Sequence, residues 1–263
     1  MNKIRLAYQF WGILPRHQRA VYGLVAGWIL AMIFVPILRW TFGDAIIPPA
    51  ITFALMIQCA AVFVALASVW GLPRIRGVFL IVAVMTWGVE FLGSKTNFPF
   101  GSYDYTPLLQ PQIGGVPLLI PLAWFMMLPV AWNIAHLTVG TKNPLIYIII
   151  SAFAMTAWDL FLDPQMVMWK FWEWHEYGAY FGIPIMNYIG WLLTAGIITA
   201  VIRPYRWEMP RYPLWVVYAV VWFLQSIGLA VFWGMAGPAF FGCISMGAFL
   251  VWSYRGLRGH HEH

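Results

Sequence analysis

Charge is scarce in this chain. Of 263 residues only 9% are charged and nine are acidic, while 62% are hydrophobic and the mean hydropathy is +0.75. Soluble domains carry about 25% charged residues, so water cannot solvate this composition and lipid must. The two cysteines, Cys59 and Cys243, both lie in apolar runs, which excludes a disulfide framework and leaves buried thiols. Six scattered histidines exclude a histidine-rich di-iron site. No Walker A motif, dinucleotide-binding glycine fingerprint, His-Glu-x-x-His or Gly-x-Ser-x-Gly occurs, so nucleotide, zinc-protease and serine-hydrolase chemistry have no carrier. The net charge of +6 does not indicate nucleic acid, because no basic arm or motif collects it.

What the chain does have is apolar length. A helix needs about 20 apolar residues to cross the hydrocarbon core. Eight stretches qualify, near 21–38, 50–71, 77–93, 116–137, 144–163, 183–202, 213–234 and 238–254. The last is short, and Gly234 to Gly237 predicts a tight hairpin before it. The first follows Lys3, Arg5, Arg16 and Arg19 and lacks a small-residue cleavage site, so it reads as a retained span. With the N-terminus inside, the inner segments hold 12 basic residues, Lys3, Arg5, Arg16, Arg19, Arg74, Arg76, Lys142, Arg203, Arg206, Arg211, Arg255 and Arg258, and the outer ones three, Arg39, Lys95 and Lys170. That bias predicts both termini in the cytoplasm and an even number of spans. The expected architecture is an all-α, polytopic helical bundle in a cell membrane. It forms one domain over 1–263, with a cytoplasmic segment at 1–20 and an interfacial aromatic loop or short helix at 164–182. The Gly-His-His-Glu-His ending reads as a solvated tail.

The few polar groups are not spread evenly. Glu90 lies near the outer end of the third span, Asp104 in the loop after it, Asp159 and Asp163 near the outer end of the fifth, and Asn187 at the start of the sixth. Asp159 and Asp163, four residues apart, share one helix face with a rise of about 6 Å between them. Carboxyl groups inside a membrane are expensive and need partners or a watery cavity. One shared pocket in the outer half of the bundle satisfies all of them. Blander readings exist: Asp163 precedes Pro164 and fits a helix end, Asp104 fits a surface pair with Lys95, and the Trp169–Trp174 aromatics fit an interface belt.

At this point four segments resemble a known family. They are EFLGSKTNFPFGSYDY from Glu90 to Tyr105, GVPLLIPLAW from Gly115 to Trp124, AWDLFLDPQM from Ala157 to Met166, and GAYFGIPIMNYIGW from Gly178 to Trp191. Together they resemble the membrane carotenoid 1,2-hydratases, a family of γ-carotene, lycopene and bisanhydrobacterioruberin hydratases. The resemblance implies acid-catalysed addition of water across the terminal C1=C2 bond of an acyclic carotenoid ψ end group, within the bilayer. It implies no cofactor and no metal. The acid must hold a proton near neutral pH, which an apolar surrounding and a neighbouring carboxylate both favour. Asp159 is the first expectation for that acid, then Glu90 and Asp163, then Asp104. Faces of Trp124, Trp158 and Trp191 suit a developing cation. Lys95, Tyr103 and Asn187 are expected to orient water and carboxylates.

Three other readings fit part of the pattern. Asp159-x-x-x-Asp163 matches one of the two aspartate motifs with which membrane prenyltransferases hold Mg²⁺ and diphosphate, but a second motif is missing. A membrane lycopene-type cyclase would protonate the same end group and trap the cation internally. A lipid transporter would also place acids in the membrane, though these sit at one depth and form no relay across it.

Overall fold

The computed structural model describes residues 16–258, so the expectations placed on Lys3, Arg5 and the tail at 259–263 lie outside the described residues. Eight helices are long and apolar enough to cross a membrane. They are α1 (Arg16–Phe42), α2 (Ile47–Trp70), α3 (Leu72–Thr96), α4 (Leu119–Val139), α5 (Pro144–Met168), α6 (Ile185–Ile202), α7 (Arg211–Ile227) and α8 (Ala236–Arg258). The protein is an all-α polytopic bundle, as its hydropathy predicted. Helix α4 forms its centre, packed against α2, α3, α5, α7 and α8. Its Trp124, Phe125, Trp132 and neighbouring aliphatic side chains are buried on all sides, the pattern of a helix shielded from lipid by other helices.

Several ends differ from expectation. α1 is already helical at Arg16, inside the segment expected to precede it. α8 is no short span but a 23-residue helix whose first turn includes Gly237 and Pro238. Before it, Gly228–Phe232 winds as a π-helix, and the tight connection falls at 233–235.

Asp163 does not mark a helix end either. α5 continues through Pro164 to Met168. A proline inside a helix has no N–H for the carbonyl four residues back. Here that carbonyl belongs to Leu160, and the Tyr180 hydroxyl donates to it at 3.0 Å.

The expected aromatic loop at 164–182 is the largest departure. It is neither a short helix nor a free lip. Trp172–Trp174 forms a strand, β4, paired antiparallel with β1 (Tyr103–Tyr105), with Tyr103 opposite Trp174, Asp104 opposite Glu173 and Tyr105 opposite Trp172. A second small ribbon, β2 (Gln112–Ile113) and β3 (Val116–Pro117), turns at Gly114 and Gly115, both with positive φ. These ribbons close the end of the bundle that carries Arg39, Lys95 and Lys170. Alternation of helix direction puts Arg74, Arg76, Lys142, Arg203, Arg206, Arg211, Arg255 and Arg258 at the opposite end.

The ribbon is pinned into the helices by Phe100, which is buried between Gly93 of α3 and Gly190 of α6. A Cβ at Gly190 would lie 2.5 Å from the Phe100 ring and 2.9 Å from the Pro99 carbonyl oxygen. Gly190→Ala is therefore expected to destabilise the protein by about 1–3 kcal/mol through overpacking. Its melting temperature in detergent measures this, and an unchanged value would show that Phe100 has room to move.

Candidate active site

The sheet cap explains how the site is assembled. Side chains of a strand alternate between faces, so Tyr103 and Tyr105 of β1 and Trp172 and Trp174 of β4 point into the bundle. Asp104 and Glu173 then face outward. The patterns YDY and WEW carry this period of two, the signal that an interface-belt reading overlooks.

Two carboxyl groups meet the inward face. Glu90 of α3 accepts from the Tyr103 hydroxyl at 2.6 Å, the Tyr105 hydroxyl at 2.8 Å and the Trp124 indole at 3.3 Å. Asp163 of α5 accepts on Oδ1 from the indoles of Trp172 and Trp174, at 2.7 and 3.2 Å, and on Oδ2 from the Asn187 amide at 2.6 Å. Three donors on each carboxyl group supply the partners that a buried charge requires. Burial first, and then the neighbouring Glu90, push the Tyr103 and Tyr105 phenols above their ordinary range, so both keep their protons and serve as donors.

Asp159 is held differently. It lies one turn along α5, fully buried, and its Oδ2 accepts from the same Asn187 amide nitrogen at 2.8 Å. Its Oδ1 has no hydrogen-bond partner among the described residues. Asn187 thus ties the two aspartates into a dyad, donating one N–H to each. The Tyr188 hydroxyl is also buried without a partner among the described residues.

A cavity of about 40 Å³ lies among these groups, lined by Glu90, Tyr103, Asp163, Asn187 and Trp191 among others. That is room for a water molecule. Asp159, the first expectation for the acid, sits behind Asp163 and does not line this space. Trp124 and Trp191 do, stacked with centroids 4.2 Å apart, and Trp158 packs edge-on against Trp191 at 6.0 Å. Beyond Ile120, Ala123, Leu162 and Trp172, which both spaces share, an apolar cavity of about 90 Å³ adjoins.

Two expected residues lie elsewhere. Asp104 is exposed, and its partner is His175, with Oδ2 to Nε2 at 2.8 Å, rather than Lys95; the other ring nitrogen meets the Ser102 hydroxyl at 2.7 Å. The reason is the strand period, which turns Asp104 away from its neighbours Tyr103 and Tyr105. Lys95 is exposed above the Phe91 ring at 5.9 Å and reaches no carboxylate among the described residues. Asp104→Asn is accordingly expected to change turnover by no more than about twofold, since an exposed pair of polar side chains contributes little. A large loss in a product assay would put Asp104 back in the chemistry. Tyr105, Trp172 and Trp174 are the site residues that the sequence reading did not single out as hydrogen-bond donors. Among the described residues, no three His, Cys, Asp or Glu side chains are grouped to hold a metal ion.

Comparison with known proteins bears on what such a site serves. A profile described as "Carotenoid biosynthesis protein" matches residues 50–249. The chain is also 28% identical over 140 residues to a bisanhydrobacterioruberin hydratase of Haloarcula japonica, covering 48% of this chain and 47% of that one. The match therefore spans about half the length of that curated relative. No solved structure matches. Because the family profile covers all the spans from α2 to most of α8, together with every carboxyl group of the site, the chain belongs to the carotenoid biosynthesis protein family.

Proposed function

We propose that the protein is a carotenoid hydratase that adds water to the terminal C1=C2 bond of an acyclic ψ end group by acid catalysis. The observation that carries this reading is the water-sized cavity lined by Asp163 and Glu90, with an apolar cavity adjoining it across Ile120, Ala123, Leu162 and Trp172. The relative's name adds support.

In this reading the end group reaches the shared wall at Ile120, Ala123, Leu162 and Trp172. The Asp159–Asp163 dyad holds one proton. The unpartnered Oδ1 of Asp159 and the three donors around Asp163 suit a neutral and an ionised partner respectively, and Asn187 links the two. Asp163, the member at the cavity, passes the proton to C2 once it carries it. The electron pair of the double bond forms the new C–H bond, which leaves a tertiary cation at C1. Glu90 and the Trp124 and Trp191 rings stabilise that cation by charge and by cation–π attraction. Water in the cavity adds to C1 and returns a proton to the dyad, so the acid is regenerated and one water is consumed. The end rich in arginine faces the cytoplasm by the positive-inside rule, which puts the site in the outer half of the membrane.

The test is co-expression with an acyclic-carotenoid pathway and mass analysis of the pigments. A gain of one water per modified end supports the reading. Cyclised pigments of unchanged mass would instead identify a cyclase, and unaltered pigments across several ψ-ended substrates would remove both.

A further inference from the structure

A carotenoid end group is too apolar to approach this site through water, and the sheet cap covers it from the aqueous side. The cavities trace another route. The apolar space of about 90 Å³ beside the site also shares Met32, Gln165, Trp169, Leu224 and Gln225 with a third cavity, of about 440 Å³, between α1 and α7. Ile33, Ile37 and Phe223 at that third cavity are exposed on the lipid-facing surface. Two further surface cavities, at α3–α4 and α7–α8, share no residue with the site cavity or with the apolar space beside it.

The α1–α7 opening has features of a portal. Its wall includes the π-helical turn Gly228–Phe232, a winding that recurs at functional sites. Aromatic contacts frame the rim: Trp40 with Phe232 at 5.8 Å, Trp169 with Trp233 at 4.8 Å, and the Arg39 guanidinium 5.0 Å over the Trp233 ring. At the junction of the two cavities, the buried Trp169 Nε1 and Gln225 Oε1 have no hydrogen-bond partner among the described residues. Unpaired polar atoms are costly in a sealed apolar wall. Water or a polar group lying at the junction would satisfy them.

We infer that the acyclic polyene passes sideways from the lipid between α1 and α7, threads the Trp169–Leu224–Gln225 junction, and lies in the adjoining slot with its end at the carboxyl groups. This deepens the hydratase reading and rests on it for the identity of the polyene. The route commits the substrate to one orientation, with its far end left in the bilayer.

Binding in lipid nanodiscs tests the route separately from the chemistry. The probe is lycopene, read by the shift of its absorption bands, in protein carrying Asp163→Asn so that nothing is converted. Leu224→Trp, which narrows the junction, is expected to weaken binding about tenfold, the scale of an overpacked contact. Val84→Trp, in the unconnected α3–α4 groove, is expected to leave binding unchanged. Leu224→Ala widens the junction and is expected to speed association, which keeps the test open if the tryptophan variant does not fold. Unchanged binding in both Leu224 variants would overturn the route. If Leu224→Trp blocks binding while the unmodified protein hydrates no ψ end, the route stands and the hydratase reading falls. If the unmodified protein hydrates and Leu224→Trp hydrates equally well, the reverse holds.

Discussion

Asp163→Asn is expected to lower hydration of a ψ end by about 10²–10⁴-fold, the usual loss when a positioned general acid is removed. The substitution is nearly isosteric, and the asparagine oxygen can still accept from Trp172 and Trp174. Its new N–H₂ would then face the Asn187 N–H₂, which sits 2.6 Å from Asp163 Oδ2 in the native arrangement. Asn187 relieves that clash by turning its amide, which withdraws the N–H from Asp159 Oδ2 as well. Loss of the acid and disturbance of its partner therefore come together. Asp159→Asn is expected to approach the same loss through the shared proton, although Asp159 does not touch the cavity. Turnover with fold confirmed by unchanged melting separates catalysis from collapse. A fully active, folded Asp163→Asn protein would remove the dyad from the mechanism.

Glu90 should show two distinct effects. Glu90→Leu leaves the Tyr103, Tyr105 and Trp124 donors buried without an acceptor. At about 1–3 kcal/mol for each unsatisfied group, the loss of stability is expected to be about 3 kcal/mol or more. It should appear as a large drop in melting temperature and detachment of β1 from the bundle. Glu90→Gln keeps an acceptor oxygen and most of the volume but removes the negative charge that faces the cation. It is expected to stay folded and lose about 10²-fold in turnover, the scale of one preorganised electrostatic contact. If Glu90→Gln is as active as the parent while Glu90→Leu is unstable, Glu90 is a structural acceptor alone.

These expectations depend on some features that were readable from the chain and others that were not. The eight spans follow from hydropathy, because lipid penalises every unpaired backbone group and leaves the helix as the spanning solution for such runs. Asp159, Asp163, Glu90 and Asn187 also stood out in the sequence, since charge and amide groups inside apolar runs demand partners. Their convergence at one depth was legible from span order and spacing. Span ends were less so: Pro164 predicts a stop, yet α5 continues, with the Leu160 carbonyl satisfied by Tyr180, 20 residues away along the chain but close in space.

The roles within the cluster belong to the fold. Asp104 and the tyrosines beside it sit in one short segment, yet pairing of β1 with β4 sends them to opposite faces. Three-residue strands more than 60 residues apart cannot announce that pairing through local periodicity. The same pairing turns Trp172 and Trp174 from an expected lip into donors for Asp163. By itself, the sequence determined a membrane bundle with a small set of acids buried in it, because composition and spacing control what lipid will accept. Tertiary structure decided which carboxyl groups face the cavity, which are caged by donors and which face solvent. Those outcomes depend on contacts between segments far apart in the chain, and burial and hydrogen bonding are set only where such segments meet.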